Sequence, residues 1–131
     1  MDDYPMIEQL IMNDPFINYL GIKVRILGDG KAEATVDFKK ELMRSGDIMN
    51  GGAIASLIDT AGGTAVLTLS KSNQVTVNLN LNFLKAIDNG PVKAVAEVTK
   101  PGNRIFYVDV KVYDGKSNLC AHATGVWYAF R

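Results

Sequence analysis

Apolar residues along this chain follow two different periods, and the switches between them mark out the elements. Residues 5–12, Pro-Met-Ile-Glu-Gln-Leu-Ile-Met, predict a short helix, with acidic residues ahead of it and Pro5 suited to its first turn. Asp14-Pro15 should end it, and residues 16–20 add another helical turn, so residues 1–20 form an N-terminal helical segment. Residues 22–27 and 32–38 then read as two strands joined by Gly28-Asp29-Gly30, whose glycines suit the positive φ of a tight hairpin. Mixed charge and Gly46 make residues 39–49 a loop by the same reading.

Asn50-Gly51-Gly52 opens the longest periodic stretch, a helix running to about Leu69. Ile54, Leu57, Ile58, Ala61, Ala65 and Leu69 recur at spacings of three and four and trace one apolar stripe. Asn50 is a good N-cap type, able to accept from a free N–H of the first turn. Gly62 and Gly63 each weaken such a helix by about 1 kcal/mol relative to alanine, so something closely packed should compensate. From Gln74 the period becomes two, with Val75, Val77, Leu79, Leu81 and Phe83 alternating with Thr76, Asn78, Asn80 and Asn82. Residues 92–99, 105–113 and 119–130 are three further strands, separated by turns rich in Asp, Asn, Gly and Pro. Short turns imply antiparallel neighbours. The expected architecture is α+β, one curved antiparallel sheet of about six strands over one long helix, in a single domain of residues 1–131.

Composition narrows the function. Fourteen basic residues balance fourteen acidic ones, which disfavours nucleic-acid binding because that needs excess positive charge against phosphates. Cys120 is the only cysteine and His122 the only histidine, so no disulfide and no zinc site can be built from them. The acidic start, Met1 to Pro5, lacks the basic-then-apolar order of a signal peptide, and no apolar run reads as a membrane span. A cytoplasmic location is therefore expected, with no nucleic acid or membrane as partner. Gly115-Lys116-Ser117 ends like a phosphate-binding loop, but Val110 stands where the upstream glycine is required. Gly28-Asp29-Gly30 lies in a hairpin and is no dinucleotide fingerprint, and no Gly-x-Ser-x-Gly elbow occurs. Cys120 and His122, two apart on a strand, share a face by spacing. A packed thiol and a hydrogen-bonded histidine explain them better than a catalytic pair.

The long helix carries the remaining chemistry. Gly52, Ala55, Ser56, Gly62, Gly63 and Val66 surround Asp59 on the helical wheel, leaving one carboxylate on a face almost free of bulk. A solvated surface carboxylate is the plain explanation, but a solvated face has no use for Gly62 and Gly63. In a confined slot, partial desolvation makes such a carboxylate a better base. At the helix start, unpaired N–H donors and the positive end of the dipole meet glycines that let a carbonyl oxygen approach, the geometry of an oxyanion hole.

Asn50-Gly51-Gly52-x4-Leu57-x-Asp59 resembles the His-Gly-Gly-x4-Leu-x-Asp motif of hotdog-fold acyl-CoA thioesterases, the phenylacetate-pathway type and its relatives. Residues 75–80 resemble the strand after the family's long helix, and Pro101-Gly102-Asn103-Arg104 sits where the family has a Gly-Lys or Gly-Arg turn. The resemblance covers roughly residues 15–130. It implies that Asp59 activates water or attacks the thioester, that the Gly51 N–H polarises the carbonyl, and that Thr76 helps orient the water. It also implies that Asn103 and Arg104 lie near the coenzyme A phosphates, and that no metal or other cofactor is needed. Two positions depart from the pattern. The motif histidine is Asn50, which can still cap and donate, and a family asparagine six residues earlier is Arg44, which can supply a charged hydrogen bond.

The expected function is hydrolysis of an acyl-CoA thioester to free acid and coenzyme A. The alternatives are a non-catalytic acyl-CoA binder or sensor and a hotdog hydratase or dehydratase. Gly51 and Asp59 are eight residues apart on one helix, about 12 Å along its axis, too far for one thioester carbon to touch both. A homo-oligomer whose sites pair Gly51 of one chain with Asp59 of another is expected, with the small face around Asp59 as the surface that admits the second chain.

Overall fold

The structure, a computed structural model, describes residues 2–130. Helices α1 (Tyr4–Met12) and α2 (Pro15–Leu20) meet at Asp14, whose Oδ1 accepts from the Phe16 N–H at 3.2 Å while Pro15 fills the first helical position. Strands β1 (Lys23–Gly28) and β2 (Lys31–Val36) form the expected hairpin. Residues 39–49 are not the plain loop their composition suggests. They hold a 3₁₀ turn, Lys40–Leu42, and a two-stranded ladder of β3 (Met43–Arg44) and β4 (Ile48–Met49). Leu42 and Met49 are buried anchors within that polar segment, and the Asn50 N–H donates to the Leu42 carbonyl at 2.8 Å.

Helix α3 (Gly51–Ser70) follows, then β5 (Gln74–Phe83), β6 (Val92–Lys100), β7 (Ile105–Tyr113) and β8 (Leu119–Ala129). The sheet runs β1-β2-β6-β7-β8-β5 with every neighbour antiparallel. Helix α3 touches all six strands, so the sheet wraps around it. This makes the expected single apolar stripe too narrow, because residues 60–66 are buried without interruption. For the same reason the expectation of no membrane-length run needs correcting. Helix α3 is long and apolar enough to cross a membrane by length and composition, an apolarity that its burial inside the sheet accounts for.

Trp127 packs against Gly62, and Gln74, whose Nε2 would lie 3.1 Å from a Cβ on Gly63, packs against Gly63. A Cβ on Gly62 would lie 2.3 Å from the indole Cη2, and one on Gly125 would lie 2.4 Å from Cζ3. Two glycines, one on α3 and one on β8, thus clear the space for the largest fully buried side chain of the core. Gly62→Ala is therefore expected to destabilise the protein by about 1–3 kcal/mol through overpacking. Helix propensity alone predicts a gain of about 1 kcal/mol. A denaturation midpoint that rises in the variant would show that the indole does not need this space.

Candidate active site

The phase of β5 decides which of its side chains can reach α3. Gln74 and Thr76 pair with Ala129 and Trp127, whose side chains face the helix, whereas Leu79 pairs with Gly125 and Leu81 with Ala123. The register shifts between Thr76 and Asn78, leaving Val77 unpaired as a bulge. Strict alternation would put Thr76 on the same face as Asn78 and Asn80. The bulge instead lets Thr76 share the helix side with Leu79 and Leu81, and its Oγ1 donates to Asp59 Oδ1 at 2.5 Å. Val77 is left 60% exposed.

Asp59 and Thr76 line a cleft of about 320 Å³. One wall is α3, through Ser56, Thr60, Gly63 and Thr64. Each of the three hydroxyls already donates to the carbonyl four residues earlier, so each keeps only acceptor capacity. The floor is Trp127 with Gln74, whose Nε2 donates to the Gly63 carbonyl at 3.3 Å. The α1–α2 elbow supplies a further wall, with Ile11, Asp14, Phe16 and Ile17. Sequence reasoning did not include this wall. Its only local signal is apolar residues on both sides of an Asp-Pro break, which read equally well as a packed helical turn.

Gly51 opens elsewhere. It lines a separate pocket of about 250 Å³ with Ile54, Phe83 and Leu84, so one chain does not bring Gly51 to Asp59. As first residue of α3 its N–H has no intrahelical partner. Asn50 caps the helix, with Oδ1 accepting from the Gly52 N–H at 2.7 Å, which uses Gly52's donor and leaves the side-chain amide Nδ2 as a donor. Arg44 is exposed on β3, across from Ile48. Asn103 and Arg104 are exposed in the β6–β7 turn, where Arg104 Nη1 donates to the Tyr128 hydroxyl at 3.2 Å.

Other candidates resolve into structural roles. A register shift at Cys120 turns it into the core, where burial and the neighbouring Asp114 carboxylate push its thiol pKa up. His122 lies half-buried on the sheet face away from α3, its Nε2 2.7 Å from Asp109 Oδ1, so the two residues do not share a face. The 114–118 turn is pinned by Asp114. Its Oδ1 accepts from the backbone N–H groups of Lys116 and Asn118, both at 2.9 Å. The Asn118 amide and these N–H donors hold that carboxyl well below the usual carboxylate range. Among the described residues no three His, Cys, Asp or Glu side chains converge to hold a metal ion.

The model of the thioesterase superfamily matches residues 46–121, which span the N-cap, all of α3, the Asp59–Thr76 pair and most of the sheet. The chain belongs to the thioesterase superfamily. Its fold is the hotdog fold, as the motif implied. A protein of Thermoplasma acidophilum named as a candidate esterase is 39% identical over 132 residues, covering all of both chains. The 1,4-dihydroxy-2-naphthoyl-CoA hydrolase of Escherichia coli is 26% identical over 106 residues, 79% of this chain and 78% of that one. A conserved Pseudomonas aeruginosa protein of known structure superposes with a TM-score of 0.87 at 29% identity, covering 93% of this chain and 98% of that one.

Proposed function

We propose that this member of the superfamily hydrolyses acyl-CoA thioesters to a free acid and coenzyme A, as a homo-oligomer with each site shared between two chains. The observation that carries this reading is the Asp59–Thr76 hydrogen bond inside a cleft walled by a helix. The thioesterase family and a relative that is itself a CoA-thioester hydrolase support it. Thr76 engages Oδ1 of Asp59, so Oδ2 remains to take a proton from water as that water attacks the carbonyl carbon. The carbonyl oxygen becomes an oxyanion, stabilised by the Gly51 N–H of the second chain with the Asn50 amide beside it. Collapse breaks the C–S bond, and the departing thiolate takes the proton from Asp59.

The open edge of the sheet supports the shared site. Strand β5 has β8 on one side only, and Val77, Phe83 and Leu84 are 60%, 56% and 57% exposed along or just beyond it. An unpaired edge with exposed apolar side chains is a template for another strand, and a second copy supplies one. Pairing there would place the Gly51 pocket, which Phe83 also lines, at the interface. The hydratase alternative lacks its partner, because His122 points away from the cleft of Asp59. With its single cysteine buried and unpaired, the chain needs no oxidising compartment, which supports a cytoplasmic location.

Coenzyme A carries its charge on phosphates, which the exposed Asn103 and Arg104 of the β6–β7 turn would meet, while Arg44 would supply a charged hydrogen bond to the substrate and Gly52 would line its approach at the helix start. Arg104→Ala is expected to raise KM by about three- to tenfold, as loss of one exposed charge-assisted hydrogen bond should, and to leave kcat nearly unchanged. Added salt should narrow the difference from wild type. An unchanged KM at low ionic strength would leave Arg104 with only its Tyr128 contact.

A further inference from the structure

The cleft around Asp59 has an unusual charge balance for a pocket that must release an acid. Asp14 of the α1–α2 elbow and Asp59 of α3 both line it, and among the described residues of one chain no lysine, arginine or histidine does. Lys71 lines an adjoining groove with Asp14, but its Nζ sits 2.6 Å from Asp3 Oδ2. The hydroxyls of Ser56, Thr60 and Thr64 offer only acceptors, since their protons are spent on helix carbonyls. Of the groups one chain contributes, an anionic group placed here would meet two carboxylates and, among the described residues, no compensating cation. Asp59 is required for the chemistry. Asp14 is not, and its position is held independently by the cap it makes at 3.2 Å on the Phe16 N–H.

We infer that Asp14 is a specificity-determining residue: it makes the acyl pocket charge-selective, admitting neutral acyl groups and refusing those that end in a second carboxylate. The inference rests on the acyl-CoA thioesterase reading above and adds the substrate class. Selection works by repulsion, through a like charge set against the wrong ligand. A like-charge contact across a partly enclosed cleft is expected to cost the acidic substrate about tenfold in kcat/KM. The rest of the wall, Ile11, Phe16 and Ile17, is apolar and suits the methylenes of either substrate.

The test compares hexanoyl-CoA with adipoyl-CoA, which have six-carbon acyl groups and differ at the far end by a carboxylate. Free thiol release is followed with the intact protein and with Asp14→Asn. Asparagine caps a helix as well as aspartate does and has nearly the same shape, so the exchange removes charge and little else. The wild type should prefer hexanoyl-CoA by about tenfold, and the variant should lose most of that preference, through a lower KM for adipoyl-CoA. High salt should narrow the wild-type preference as well. If both proteins turn over the two thioesters with the same ratio, Asp14 does not select and the inference is wrong. If the wild type releases thiol from neither, the acyl-CoA reading itself fails and takes the inference with it.

Discussion

Asp59→Asn is expected to lower thiol release from acyl-CoA by about 10²–10⁴-fold, the contribution typical of a positioned acid or base. The exchange is nearly isosteric, and the Asn carbonyl can still accept from Thr76 Oγ1, so the contact that ties β5 to α3 survives. What disappears is Oδ2 as a proton acceptor. The variant should therefore fold with an unchanged circular dichroism spectrum and bind acyl-CoA by calorimetry while failing to turn it over. Turnover near wild type would remove Asp59 from the chemistry. Loss of binding together with turnover would make its role structural. A wild type that binds acyl-CoA and releases no thiol would favour the binder or sensor. Thr76→Val provides a companion measurement, since it keeps the carboxylate and removes only the hydrogen bond on Oδ1. Its expected loss, about tenfold, is smaller because the base itself remains.

The elements were legible because their signals are local. Asn50 caps α3, the 3.6-residue period runs through Ile54, Leu57 and Ile58, and turns of Asp, Asn and Gly separate the strands. The motif from Asn50 to Asp59 was legible too, since a helix keeps sequence spacing as spatial spacing. What escaped depends on contacts between distant segments. The bulge at Val77 has no local signature, yet it is what turns Thr76 towards Asp59. The small residues at 62 and 63 read as room for a ligand or a second chain, and Trp127, more than sixty residues later, fills the room beside Gly62, while Gly63 meets Gln74 and lines the cleft. The α1–α2 elbow reads as two short helices, and only the folded chain shows that it walls the cleft. Periodicity reports which face is apolar. It does not report which neighbour covers that face.

Mixing two dead variants is expected to restore roughly a quarter of wild-type activity, if each site takes Gly51 from one chain and Asp59 from another. The argument begins with distance, because eight residues of helix separate the two groups by about 12 Å along the axis. It continues with access, because Gly51 and Asp59 line different pockets of one chain. A two-fold axis between antiparallel copies of α3 would bring each Gly51 to the other chain's Asp59, giving two sites per dimer. Gly51→Pro removes the donor with little disturbance. Gly51 is not among the glycines with positive φ, and Asn50 before it, at φ −63° and ψ 135°, already has the conformation that precedes proline. A Cβ at Gly51 would lie 3.6 Å from Phe83 Cζ, an ordinary contact. Asp59→Asn removes the base. Unfolded together in equal amounts and refolded, the two variants should pair at random, with half of the dimers hybrid. Each hybrid has one site with both defects and one with neither, so half the dimers carry one working site of two. Size-exclusion chromatography would confirm that dimers or larger assemblies formed. If they form and the mixture stays as inactive as its parents, Gly51 and Asp59 do not meet across chains, and the oxyanion donor must be sought within the cleft of Asp59 itself.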